Sequence, residues 1–203
     1  MSFTNEFAIV DVVTARLELE TAGIDAFALS VIKAERQIRR LFTHVVFQCP
    51  AFGYADIPAL RDALWKSKRC YFEGFERGID VLYPRTVASL VGPEYRQLRD
   101  TLDDAIDVRN KVFHGQITNR CLDRPALLQY VTNIRRWCEV LSISALKDVG
   151  YDGFQRDSFR KGRPRIAETY RYQLADLQLY KKLLKEYVER PPGNQQWQAP
   201  AVP

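Results

Sequence analysis

The chain has 203 residues, of which 46% are apolar and 27% charged, and it carries a formal net charge of +5. That composition belongs to a folded protein of about one domain and excludes a disordered or fibrous one. No run approaches the ~20 apolar residues of a membrane-spanning helix, and Met1–Glu6 lacks the basic start of a signal peptide, so a cytoplasmic protein with no membrane partner is predicted.

Residues 5–20 are the least decided. Phe7, Val10, Val13 and Leu17 make a helical stripe, although the β-branched Ile9, Val10, Val12 and Val13 also suit a strand. The strength of the helical patterns downstream favours a helix that Gly23 breaks. From Ile24 to about Phe47 the period is unambiguous: Ile24, Phe27, Val31, Ala34, Ile38, Leu41, Phe42 and Val45 recur at steps of three and four. Pro50 and Gly53 punctuate its end. Asp56 reads as an N-cap with Pro58 in the first turn of a second long helix, which reaches Leu82. Gly74 and Gly78 lie within it, each costing roughly 1 kcal/mol against alanine. Four residues apart, they share a face, and close approach of another element is their predicted reason.

Pro84 closes that helix. The next is predicted from about Glu94, with Leu98, Leu102, Ala105, Ile106, Arg109 and Phe113 on one face. Asp123 caps a further helix with Pro125 at its start, running to about Val149 on Leu127, Leu128, Val131, Ile134, Trp137, Cys138 and Leu141. The predicted architecture is all-α: an antiparallel bundle of four to five helices over residues 1–150, a basic loop over 151–168, a C-terminal helix over 169–190 and a disordered tail over 191–203.

Cys49, Cys70, Cys121 and Cys138 show no C-x-x-C pair, which argues against a zinc site or a disulfide scaffold and for core packing. No set of His, Cys, Asp and Glu has metal-ligand spacing, there is no phosphate-cradling glycine loop, and neither metal nor cofactor is predicted. The charge is uneven. Residues 156–190 hold ten Lys/Arg against five Asp/Glu, and the twenty basic and twenty acidic residues elsewhere cancel. A basic patch of this kind suits a polyanionic partner.

Chemistry concentrates in Asp107-Val108-Arg109-Asn110-Lys111-Val112-Phe113-His114-Gly115, which holds one of two histidines. Imidazole can take a proton from a hydroxyl near neutral pH and return one to a leaving group. A guanidinium can hold a phosphate and stabilise the charge of a phosphorane transition state, and Asn110 can donate to phosphate or orient the histidine. Together they suffice for metal-free transesterification of RNA. Arg109 falls on the apolar side of its helix, where an arginine needs a partner or a function; Asp104 and Asp107 are the candidate partners. Five residues of regular helix correspond to ~7.5 Å of rise and ~140° of rotation, so the two side chains leave one helix in different directions. Gly115 has the position of a C′ glycine that would end the helix at His114.

The run Arg109-Asn110-Lys111-Val112-Phe113-His114-Gly115 resembles the R-x4–6-H motif of the HEPN superfamily of ribonucleases and toxins, in which a polar residue, often Asn, follows the arginine. The resemblance covers about seven residues, extended by the helical pattern over 24–150. It implies an α-helical bundle that forms a homodimer, with two motifs in one composite, metal-independent RNA-cleaving site. By that likeness Arg109, Asn110 and His114 are catalytic, RNA is the substrate, and an antitoxin or defence-system protein is a possible partner. Gln116 stands where HEPN toxins paired with nucleotidyltransferase antitoxins have tyrosine, so silencing by tyrosine modification is not implied. Lys111, Lys161, Arg163 and Arg165 are candidate substrate-binding cations, the last two in a Gly-Arg-Pro stretch like an AT-hook core. The alternatives are a non-catalytic HEPN-like interaction or adaptor module, and a DNA-binding protein using residues 156–171. His44, among Leu41, Phe42 and Val45, reads as core.

Overall fold

A computed structural model describes residues 3–116, 118, 122–155, 157–162 and 166–189. Its helices are α1 (Phe3–Thr14), α2 (Ala22–Gln48), α3 (Ile57–Lys66), α4 (Phe72–Leu82), α5 (Val87–Val91), α6 (Tyr95–Phe113), α7 (Arg124–Asp148) and α8 (Leu177–Leu183), which continues as a wider π-helical turn over Leu184–Val188. Among the described residues there is no β-strand, and one isolated antiparallel bridge joins Cys70 to Glu189. The all-α bundle expected from the periodicity is the observed fold.

The spine is α2, whose 27 residues correspond to about 40 Å of helix. It packs against α1, α4, α6 and α7. Its predicted stripe is the core: Phe27, Val31, Ala34, Ile38, Phe42 and Val45 are all essentially inaccessible. Chain neighbours α1 and α2 run antiparallel, with Glu6 bonded to Lys33 at 3.2 Å and Arg36 at 2.8 Å. Helices α6 and α7 also run antiparallel, Glu94 meeting Arg136 and Asp104 meeting Tyr130. Helices α2 and α7 run in the same direction: Gly23 lies beside Arg124 and Leu127, and the Gln37 amide donates to the Cys138 carbonyl at 2.9 Å. Because Glu6 is buried, its two cations are what make its charge tolerable there.

The ambiguous N-terminal segment is helical, as expected, but it ends at Thr14, and Gly23, the expected break, lies in the first turn of α2 against Arg124 and Leu127. The long helix expected over 57–82 is two helices. The chain leaves α3 at Ser67 and re-enters helix at Phe72, with Cys70 paired to Glu189 in the break. Gly74 and Gly78 do answer to close approach. A Cβ on Gly74 would lie 2.8 Å from the Val188 carbonyl carbon and closer still to its oxygen, and one on Gly78 would lie 2.6 Å from the Phe42 ring. The π-helical turn therefore rests on bare backbone.

Residues 151–155 and 157–162 form a packed strap across the end of α2 and α7, with Tyr151, Asp152, Phe154 and Phe159 buried. The expected C-terminal helix begins only at Leu177, where the Asp176 side chain accepts from the Leu179 N–H at 2.8 Å; residues 166–169 make a 3-10 turn. Arg163, Arg165, Cys121 and the tail from Arg190 onward lie outside the described residues.

Candidate functional site

Helix α6 delivers the motif, and its end is built as the sequence implied. The N–H of Gly115 donates to the Val112 carbonyl at 3.1 Å and that of Gln116 to the Lys111 carbonyl at 2.8 Å, the paired bonds of a Schellman turn. Gly115 has φ +63°, a left-handed conformation that glycine adopts without Cβ strain. His114 is the C-cap residue and is exposed. Asn110, Lys111 and Phe113 are exposed on the same last turns, Phe113 at 62%.

Arg109 is placed differently. Its side chain is 17% exposed, and one guanidinium N–H donates to Glu35 Oε1 on α2 at 2.6 Å. The expected partners were Asp104 and Asp107; Asp104 instead accepts from the Tyr130 hydroxyl, and Asp107 is exposed at the cleft mouth. Glu35 is the residue that sequence reasoning missed. It lies 74 positions from Arg109, and its only local signal is a carboxylate flanking the apolar stripe of α2.

Arg109 and Asn110 line a cleft of about 440 Å³ between α2, α4 and α6. Its remaining walls include Tyr71, Phe72 and Ile106 together with Glu35, Glu73, Asp103 and Asp107. Four carboxylates thus line the cleft with one guanidinium, Glu73 being paired with Arg77 at 3.8 Å. Asp103 is itself paired with Arg99, which also bonds Glu76 at 2.8 Å. His114 does not line this cleft. The structure therefore brings Arg109 and Asn110 together and leaves His114 at the solvated helix end, in keeping with the different directions that their spacing dictates.

The other candidate cations divide. Lys111 is exposed on α6. Lys161 is held inward: its ammonium donates to the carbonyls of Cys49 at 3.1 Å and Phe47, and lies 4.6 Å from the Phe47 ring centre. Burial lowers its pKa, with Cys49 and Asp56 opposing that shift. His44 is buried as expected and stacks on Tyr151 with 4.6 Å between ring centres. Burial pushes its pKa down to about 4, against the pull of the Ser158 and Val149 carbonyls. No group of three or more His, Cys, Asp and Glu is arranged to hold a metal ion among the described residues, and no helix there is long and apolar enough to cross a membrane.

No protein-family model, no curated protein and no solved structure matches the chain.

Proposed function

We propose that the chain is a metal-independent endoribonuclease of the HEPN type, acting as a homodimer in a toxin–antitoxin or anti-phage defence setting. The supporting observation is the end of α6, where Arg109 and Asn110 line a cleft and His114 stands exposed one turn beyond them. His114 takes the proton of a ribose 2′-hydroxyl, whose oxygen attacks the adjacent phosphorus. The bond from phosphorus to the 5′-oxygen breaks, and that oxygen receives a proton as it leaves. The products are a 2′,3′-cyclic phosphate and a 5′-hydroxyl end. Arg109 stabilises the charge that builds on the phosphorane oxygens, and Asn110 donates to a non-bridging oxygen. A second copy of the motif supplies what one helix separates by ~140°.

One observation favours a second reading, a non-catalytic HEPN-like interaction module. In the single chain Arg109 is neutralised by Glu35 in a cleft that holds three further carboxylates, and a phosphate entering it would meet repulsion. Incubating the protein with RNA in excess EDTA, beside His114→Ala and Arg109→Ala, separates the two. The ribonuclease predicts cleavage by the wild type and a loss of at least 100-fold in either variant. Equal rates in all three proteins, or none at micromolar wild type, would leave the interaction module standing.

A further inference from the structure

A second concavity of about 420 Å³ opens near the C-terminal end of α2, where Arg160 and Lys161 of the strap stand beside His44 and Tyr151. Its electrostatics are the reverse of those at Arg109, with no carboxylate among its described walls. The basic surface continues onto α3. Phe159, next to Arg160 in the chain, has the guanidinium carbon of Arg61 at 4.9 Å from its ring centre. From there α3 leads into the run Trp65-Lys66-Ser67-Lys68-Arg69. Residues 61–69 carry four cations, Arg61, Lys66, Lys68 and Arg69, against Asp62 alone. Lys66 is paired with Asp62 at 2.7 Å, whereas among the described residues no salt bridge engages Arg61, Lys68 or Arg69.

Helix α3 turns Leu60 and Ala63 into the core, with Ile57 and Leu64 partly buried behind them. Trp65 faces away from that core and is 81% exposed, more than any other large apolar side chain described. Tryptophan is highly buried on average, so a ring left in water among cations calls for a partner. It is not alone. Of the four exposed aromatic side chains among the described residues, three frame α3: Tyr54 before it, Trp65 in its last turn and Tyr71 just beyond. The exposed Ile, Val and Leu side chains lie elsewhere, on α1, α2, α7 and the α1–α2 connection. A membrane surface would draw on such aliphatic anchors beside the tryptophan, and an acidic protein would use the cations and leave the rings idle.

We infer that this face of α3 binds single-stranded nucleic acid, with bases stacking on Trp65 and phosphates meeting Arg61, Lys68 and Arg69. Rings and cations are interleaved here as bases and phosphates are along a strand. A duplex offers the same phosphates but keeps its bases stacked on one another, so the tryptophan selects the unpaired form. Tyr71, two residues past Arg69, lines the cleft that holds Arg109 and Asn110. A strand that continues from the α3 face past Tyr71 reaches the motif. The binding surface stands on its own residues, while delivery of the strand to Arg109 rests on the ribonuclease reading.

The test is fluorescence anisotropy of a labelled 2′-O-methyl RNA oligomer, single-stranded or in a duplex, titrated with the full chain at several salt concentrations. The methyl ether removes the attacking hydroxyl, so binding is read whether or not the chain cuts RNA. Expected are binding of the single strand roughly 10-fold or more tighter than of the duplex, a loss of roughly 5-fold or more in Trp65→Ala, and recovery of most of that loss in Trp65→Phe, which keeps a ring. Lys68→Gln combined with Arg69→Gln should reduce the slope of log affinity against log salt by about 1.4, at ~0.7 per phosphate contact on a single strand. All three positions are exposed, so folding is not at stake. Equal affinity for strand and duplex, no effect of Trp65→Ala, or no binding at micromolar concentration overturns the inference. Co-sedimentation with phosphatidylserine vesicles that depends on Trp65, where strand binding does not, overturns it in favour of a membrane surface. If the strand binds through Trp65 yet Trp65→Ala cleaves RNA at the wild-type rate, the surface is upheld and its route to Arg109 falls. A chain that binds the strand in this way but cleaves no RNA upholds the surface while the ribonuclease reading fails.

Discussion

Replacing Glu35 by Gln removes the charge that holds the Arg109 guanidinium at 2.6 Å. In water a pair at that separation is worth about 1.6 kcal/mol by Coulomb's law, and more in a less polar setting. Exposed pairs measure only ~0.2–1 kcal/mol once side-chain entropy and hydration are counted. With side chains 17% and 33% exposed, this pair falls between the exposed and the buried case, and we expect a coupling of about 1–2 kcal/mol. Glu35→Gln and Arg109→Ala should each lower Tm by roughly 3–6 °C in a chain of this size, and the double variant by little more than either alone. Urea unfolding followed by circular dichroism supplies the cycle. Additivity within ~0.3 kcal/mol would refute the view that Glu35 is what occupies Arg109. On the ribonuclease proposal, Glu35→Gln also frees the guanidinium and removes one of four carboxylates from the cleft, so cleavage of RNA should rise several-fold. A fall comparable to that of Arg109→Ala would mean that Glu35 positions the arginine rather than masking it.

Gly74→Ala gains about 1 kcal/mol of helix propensity but drives a methyl group into the Val188 carbonyl, where overpacking costs ~1–3 kcal/mol or more because backbone must move. A lowered Tm is expected, and a variant as stable as the wild type would show that the π-helical turn does not rest on α4. Asp80 accepts from the Val87 N–H at 2.7 Å, and burial, aided by Glu76, raises its pKa to about 6 against the opposing pull of that N–H and Arg171. A carboxyl raised above its unfolded value near 3.8 binds more protons folded than unfolded. Its contribution is therefore fully present below about pH 4 and is lost as pH rises through about 6. Asp80→Asn should gain stability relative to the wild type between pH 4.5 and pH 7.5, read as urea midpoints; an unchanged difference would place Asp80 in a more polar setting.

How much of this could be read from the residues depended on the range of the interaction concerned. The Asp123 cap, the glycine stop after His114 and the Pro84 break are local chemistry and were legible. The crowding at Gly74 and Gly78 was legible only as two bare glycines on one helix face, since Val188 and Phe42, which approach them, lie far off in the chain. The break between α3 and α4 was not, because Leu64 and Tyr71 are spaced as a continuous stripe would be, and no Gly or Pro marks Ser67–Tyr71. What competes with the helix there is Glu189, more than a hundred residues away, pairing with Cys70. The same holds for the sites. His44 was legible as a core residue from its neighbours Leu41, Phe42 and Val45. The cleft beside it was not, since its far wall is a strap that reads as a basic loop and packs through Tyr151, Phe154 and Phe159.

The distribution of charge along α2 ties the two clefts together. The cleft at its midpoint, at Glu35, is acidic around one arginine, while the one near its C-terminal end, at His44, is cationic. The Debye length at physiological salt is ~8 Å. From Glu35 to His44 is nine residues, about 13 Å of helix rise. Each cleft therefore acts on a ligand by its own local field, and the net charge of +5 gives no help to a phosphate approaching Arg109. Any RNA chemistry at the motif must bring its compensation locally, through release of Glu35 or through cations such as Lys111 on a second copy of the exposed α6 terminus. This is why the Glu35→Gln variant and the oligomeric state of the chain, rather than its overall basicity, are the measurements on which the nuclease proposal turns.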